Sequence, residues 1–99
     1  MTSNAQNVIA EIGAYVANCG GSYLDWYCGI AAQPRERLFT GHAVREQGDA
    51  WIYRSCTDSE TARAIERFFL ARGMKGGPGG GDDDSACIYA YRIAGHTVE

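Results

Sequence analysis

GAYVANCGGSYLDWYCG, residues 13–29, decides the fold, because it reads in two ways. Its glycine pair, Gly20-Gly21, either ends a helix or turns a hairpin. In the first reading Val8, Ile9, Ile12, Tyr15 and Val16 recur at helical spacing, Ser3 or Asn4 caps the start, and a helix covers residues 4–18. In the second, residues 14–19 and 22–27 are two strands folded back around the glycines. Gly13 weakens the helical pattern. The apolar stripe is nevertheless helical in period, and the helix is the expectation.

Outward from this stretch, the totals describe one domain spanning residues 1–99, with 45% apolar and 11% aromatic residues, enough for one compact core. No run of about 18 apolar residues is present, so no membrane span is expected. MTSNAQNV at the start lacks a basic segment followed by an apolar one, which points away from a secretory leader and towards a cytoplasmic location. Cys19, Cys28, Cys56 and Cys87 are widely spread, with no CxxC pair and no histidine at zinc-like spacing, so they read as reduced structural thiols. A net charge of −3 argues against a protein held on nucleic acid by charge alone. The cations, however, are eight arginines and one lysine, Lys75. Arginine grips phosphate with a two-pronged fork, which lysine lacks.

Residues 26–31 read as a short buried strand. Pro34 suits the first turn of a helix over residues 34–40, stopped by Gly41. Residues 43–50 are polar and loop-like, and WIYRSC, 51–56, is a second strand. Thr57-Asp58-Ser59-Glu60 has the form of a capping box and starts a helix that runs to about Arg72. GGPGGGDDDS, 76–85, is a Gly/Asp-rich loop; ACIYAYRI, 86–93, is a third strand, and residues 94–99 are expected to be a loose tail. The order α-β-α-β-α-β predicts an α+β domain: a small, three-stranded, mainly antiparallel sheet packed with about three helices.

Several residues stand out chemically. On a wheel of 100° per residue, Ala62, Ile65, Phe68, Phe69 and Leu70 share an apolar arc that also contains Glu66, while Arg63 and Arg67 fall on its polar flank. A carboxylate there needs a cation, a metal or a site; reaching sideways to a neighbouring arginine would also satisfy it. Arg37 lies one helix turn beyond the strand end that carries Tyr27 and Gly29. Ligands gather at such junctions. Tyr27 equally suits a core aromatic with a bonded hydroxyl, and Gly29 in a strand marks a close approach by another group. His42 follows a glycine at a helix end, where histidines often serve as helix-end partners. The Gly-rich loop is no P-loop, since it lacks GK[ST] and runs from helix to strand. Asp82, Asp83 and Asp84 suit either a divalent ion or a solvated acidic turn.

These residues together resemble the GIY-YIG nuclease superfamily. Tyr27-Cys28-Gly29 is similar to its tyrosine-apolar-glycine motif, and GIAAQPRERLFTGH, 29–42, is similar to its G-I-T-x-x-P-x-x-R-L-x-x-H run, with His42 displaced by one. Ala62 and Glu66 fit the A-x-x-x-E context of the family's metal-binding glutamate. Gly13-Ala14-Tyr15 aligns with GIY if the hairpin forms. The resemblance implies metal-dependent hydrolysis of a nucleic-acid phosphodiester. Glu66 would hold Mg²⁺ or Mn²⁺, Arg37 would clamp a phosphate oxygen, and Tyr27, alone or with Tyr15, would orient the attacking water. His42 joins these as a catalytic candidate, and Gly29, Arg35, Trp26, Tyr53 and Asp82 are candidate substrate contacts. The alternative is a binding module that keeps the fold without cleaving, gripping a nucleic-acid or protein partner through Trp26, Trp51, Tyr53 and the arginines.

Overall fold

In the computed structural model, which describes residues 3–20, 22–76 and 85–99, the helical reading of the opening stretch holds. Helix α1 spans Ser3–Asn18 and buries Val8, Ile12 and Val16, four residues apart on one face. Gly13 has a packing reason: a Cβ there would stand 3.3 Å from the Tyr23 hydroxyl. The chain then makes a single 3₁₀ turn, Tyr23–Asp25, where the hairpin reading placed a strand.

Strand β1 (Trp26–Ala31) leads into α2 (Pro34–Glu36), which continues as a wider π-helical turn, Arg37–Gly41. Strand β2 is Trp51–Ser55, helix α3 is Ser59–Ala71, and strand β3 is Cys87–Arg92. The N-cap of α3 lies one residue later than the sequence pattern suggested. Asp58, not Thr57, caps it, accepting from the Thr61 N–H at 2.8 Å.

The last strand is the central one. The sheet order is β1-β3-β2, antiparallel throughout, with Tyr27 opposite Tyr91 and Gly29 opposite Tyr89 on one side and Trp51 and Tyr53 opposite the same tyrosines on the other. Lys75 bridges to the outer edge of β1: its N–H donates to Trp26 O at 2.8 Å, and its carbonyl accepts from the Cys28 N–H at 2.9 Å.

Alternation along the strands divides the core into two layers. Cys28, Ile30, Ile52, Ile88 and Ala90 meet α1 and α3 on one face. Tyr89, Tyr91 and Ala31 meet Leu38 and Val44 on the other, with Tyr27, Trp51 and Tyr53 packed around them. The protein is thus a small α+β fold, and no described helix is long and apolar enough to cross a membrane.

One expectation needs correction. Residues 94–99 are tied down: Ala94 and Thr97 close a turn, the His96 ring lies 2.5 Å from the Asp49 carboxylate, and the Val98 N–H donates to His42 O at 2.8 Å. The Gly/Asp-rich loop, Asp82 included, falls almost wholly outside the described residues.

Candidate functional site

On the face that α2 covers, the strand register lines up two rows of side chains. Tyr27, Tyr91 and Trp51 form one row, and Gly29, Tyr89 and Tyr53 the next. Gly29 is the gap in this aromatic array. A Cβ there would lie 2.5 Å from the Tyr89 hydroxyl and 2.7 Å from its ring carbon, so only glycine lets the Tyr89 ring lie across β1.

The π-helical turn closes with the His42 N–H donating to Arg37 O at 2.9 Å and delivers His42 into the same layer, 6% exposed. The His42 Nδ1 is 2.6 Å from Val98 O, and its Nε2 is 2.7 Å from the Tyr89 hydroxyl. A carbonyl only accepts, so Nδ1 carries the proton and donates it; Nε2 then offers a lone pair to the Tyr89 O–H. Donors and acceptors therefore run one way, from Tyr89 to His42 to Val98. The Arg37 guanidinium is near enough for its charge to favour ionisation of the Tyr89 phenol. Tyr91 closes the group, its hydroxyl 3.3 Å from Val98 O, and Tyr27 stacks on Tyr91 at 5.3 Å with its ring centre 4.8 Å from that of His42.

Burial sets the charge states. It pushes the Tyr89 phenol up, well above the tyrosine range, with nearby Tyr27 adding and Arg37 opposing. It pushes His42 below its ordinary value of 6.5, with the Val98 hydrogen bond opposing and Arg37 adding. Both groups are neutral at pH 7. Because the folded ring binds its proton less readily than an unfolded histidine, stability drops as pH falls through 6.5 and keeps dropping until the folded ring is protonated. Urea unfolding between pH 7 and pH 5 is expected to show this acid limb, and His42→Gln is expected to flatten it. An unchanged slope in the variant would assign the limb to another group.

Arg37 is exposed beside this relay. Its stem packs over Gly41, where a Cβ would meet Cδ at 3.1 Å. It lines a cleft of about 390 Å³ with Ala31, Gln33, Thr40, Gly41 and the buried Ser85. Glu36 lines the cleft too, so an anion there meets a guanidinium fork with one carboxylate beside it.

The other candidates are placed differently. Tyr15 is not in this layer: its hydroxyl accepts from the Trp51 N–H at 3.1 Å and its ring packs edge-on against Trp26 at 5.9 Å. Trp26 is fully buried and cannot be a substrate contact; its indole N–H has no hydrogen-bond partner among the described residues. Arg35 is exposed and paired with Glu46 at 2.7 Å, and Tyr53 is half-buried beside Trp51.

Glu66 is buried, as the wheel implied, but α3 covers the face opposite Tyr27, Arg37 and His42. Burial raises its carboxyl, with Arg63 and Arg67 opposing, and the Cys28 thiol beside it is pushed up to about 12 by burial, with the Glu66 charge adding. Among the described residues no three His, Cys, Asp or Glu side chains gather as a metal site. A hard divalent ion prefers several oxygen donors. The described residues do not fit such an ion beside Tyr27 and Arg37.

No family model, curated protein or solved structure matches the chain.

Sequence reasoning missed Tyr89, Tyr91 and Val98. Period-two alternation in CIYAYR already set both tyrosines on one face. Nothing in the sequence said that this strand would lie beside Gly29.

Proposed function

We propose that the protein is a GIY-YIG-like phosphodiesterase acting on nucleic acid, with its phosphate held by Arg37. The observation that carries this reading is the exposed Arg37 lining a cleft next to Tyr27 and the buried relay Tyr89–His42–Val98. The strand partner of Tyr27-Cys28-Gly29 also supports it. Cys87-Ile88-Tyr89 on β3 ends in the Ile-Tyr of GIY and lies antiparallel to β1, so Tyr89 takes the part that the hairpin reading gave to Tyr15. The two tyrosine motifs are then present in reversed chain order.

The division of labour follows from burial. Arg37, exposed, binds two phosphate oxygens and offsets the charge that develops on them. Tyr27, half-buried on the same face, orients water for attack on phosphorus. Tyr89, at 2% exposure, and His42 form the buried polar layer beside Arg37. As the water oxygen bonds to phosphorus and the ester oxygen leaves, solvent in the open cleft takes and returns the protons. No step is routed through a metal.

Cleavage of an end-labelled strand and of a duplex, with Mg²⁺, with Mn²⁺ and with EDTA, tests the reading. Tyr27→Phe is expected to slow cleavage about 10²-fold with binding unchanged. A wild-type rate in that variant would remove Tyr27 from the reaction. The placement of Glu66 on the opposite layer favours a second reading, a module that binds the phosphate backbone at Arg37 without cleaving it. Binding without turnover under all three conditions would select that one.

A further inference from the structure

Beyond the phosphate site, the edge strand β2 of the same sheet carries a second feature. A cleft of about 450 Å³ opens along β2, lined by Tyr15, Arg35, Trp51, Ile52, Tyr53 and Arg54. The Trp51 and Tyr53 rings stand nearly parallel, 8° apart, with centres 6.2 Å apart. Phe39 buttresses Trp51 edge-on at 5.0 Å, and the Arg35 guanidinium lies 5.9 Å from the Trp51 ring centre. We propose that this cleft is a base-stacking subsite for an unpaired nucleotide, so that the strand bound at Arg37 is single-stranded there. The inference rests on the phosphate reading and names its substrate class.

Three observations carry it. Flat parallel rings fixed by a neighbouring aromatic present a π-face to a base, and a base inside a duplex is already stacked on both sides. Tyr53 is the cross-strand neighbour of Tyr89, so the platform begins one strand, about 5 Å, from the tyrosine that feels the Arg37 charge. Both flanking arginines are already neutralised, Arg35 by Glu46 at 2.7 Å and Arg54 by Glu11 at 2.5 Å. Grip at this cleft therefore comes from stacking rather than charge, and fits an acidic protein.

The two tryptophans make the test direct, because Trp26 is fully buried and Trp51 lines the cleft. The probe is dT12, titrated into the slow-cleaving Tyr27→Phe protein while tryptophan emission is followed. Quenching is expected, retained in Trp26→Phe and lost in Trp51→Phe. Tyr53→Ala and Trp51→Ala are each expected to weaken dT12 binding about 5- to 150-fold, with little change in its salt dependence. An abasic 12-mer of equal charge is expected to bind weakly and to leave the emission unchanged. Equal affinity for dT12 and the abasic strand, quenching by a 12-bp duplex, or a proline-rich peptide that quenches where dT12 does not would overturn the inference. Failure of the phosphate reading looks different: dT12 would quench Trp51 normally while Arg37→Ala left affinity and cleavage untouched.

Discussion

Arg37→Ala is expected to lower the single-turnover cleavage rate about 10²- to 10³-fold, the loss typical of removing one charge-stabilising group from a reacting centre. The guanidinium is exposed, so truncation removes the phosphate fork without opening the core. The Tyr89 O–H still donates to His42 Nε2 in the variant, so the buried relay stays satisfied. Stability should accordingly change by no more than about 0.5 kcal/mol, as for other surface substitutions. Arg37→Lys is the informative companion. It keeps the positive charge but loses the planar fork, and should recover only a small part of the rate. If lysine restored wild-type cleavage, the site would be a point charge and the planar fork would have no role. If alanine left the rate unchanged, Arg37 would have no part in the reaction.

Much of this architecture was legible because local signals agreed. The stripe Val8, Ile12, Val16 fixed α1, and Ala62, Ile65 and Phe69 fixed the buried face of α3, since the helical period needs only near neighbours in sequence. The unusual burial of Glu66 was legible by the same logic. What failed was anything that depended on which strand lies beside which. Three short strands with mixed apolar faces carry no local mark of their order, and the last strand to be made is the one in the middle. From that one fact the misplacements follow. Tyr15 was weighed as a catalytic partner of Tyr27 because the first strand was sought upstream. In the structure it secures the N–H of Trp51 on β2, and Tyr89 arrives from downstream to face Gly29. The tail was misread for a related reason: six polar and small residues look unbound until His42 and Asp49 are known to lie within reach.

The layer structure also explains why Glu66 and Arg37, both singled out by residue type, are not one site here. A side chain reaches the face its own element covers, and α3 and α2 cover opposite faces. The buried carboxyl feels the charges of Arg63 and Arg67 on its own helix, which oppose the effect of burial on it. Polar chemistry on the α2 face is instead supplied by tyrosine hydroxyls and one neutral histidine. Those groups can be buried at small cost when each is hydrogen-bonded, whereas a carboxylate cannot.

Gly29→Val is expected to cost several kcal/mol and to abolish whatever the site does. The first branch atom alone would stand 2.5 Å from the Tyr89 hydroxyl, inside any real contact distance, so either β1 or the ring must move. Strand β1 is held by β3 along its inner edge and by the Lys75 bridge along its outer one. The ring is therefore the part that gives way, and it is 2% exposed, with His42 and Tyr53 as neighbours. Overpacking of this kind costs about 1–3 kcal/mol. Swinging the ring also breaks the 2.7 Å bond to His42 and leaves a buried hydroxyl and a buried ring nitrogen unpaired, each worth about 1–3 kcal/mol. Against a domain stability of about 5–15 kcal/mol, urea unfolding should show a large fall in midpoint or no folded baseline at all. The milder Gly29→Ala keeps the experiment readable if valine does not fold. Combined with Tyr89→Leu, which vacates the contested space, Gly29→Ala should cost less than the two single changes summed. Strict additivity would mean that the close approach of Tyr89 is not why position 29 is glycine.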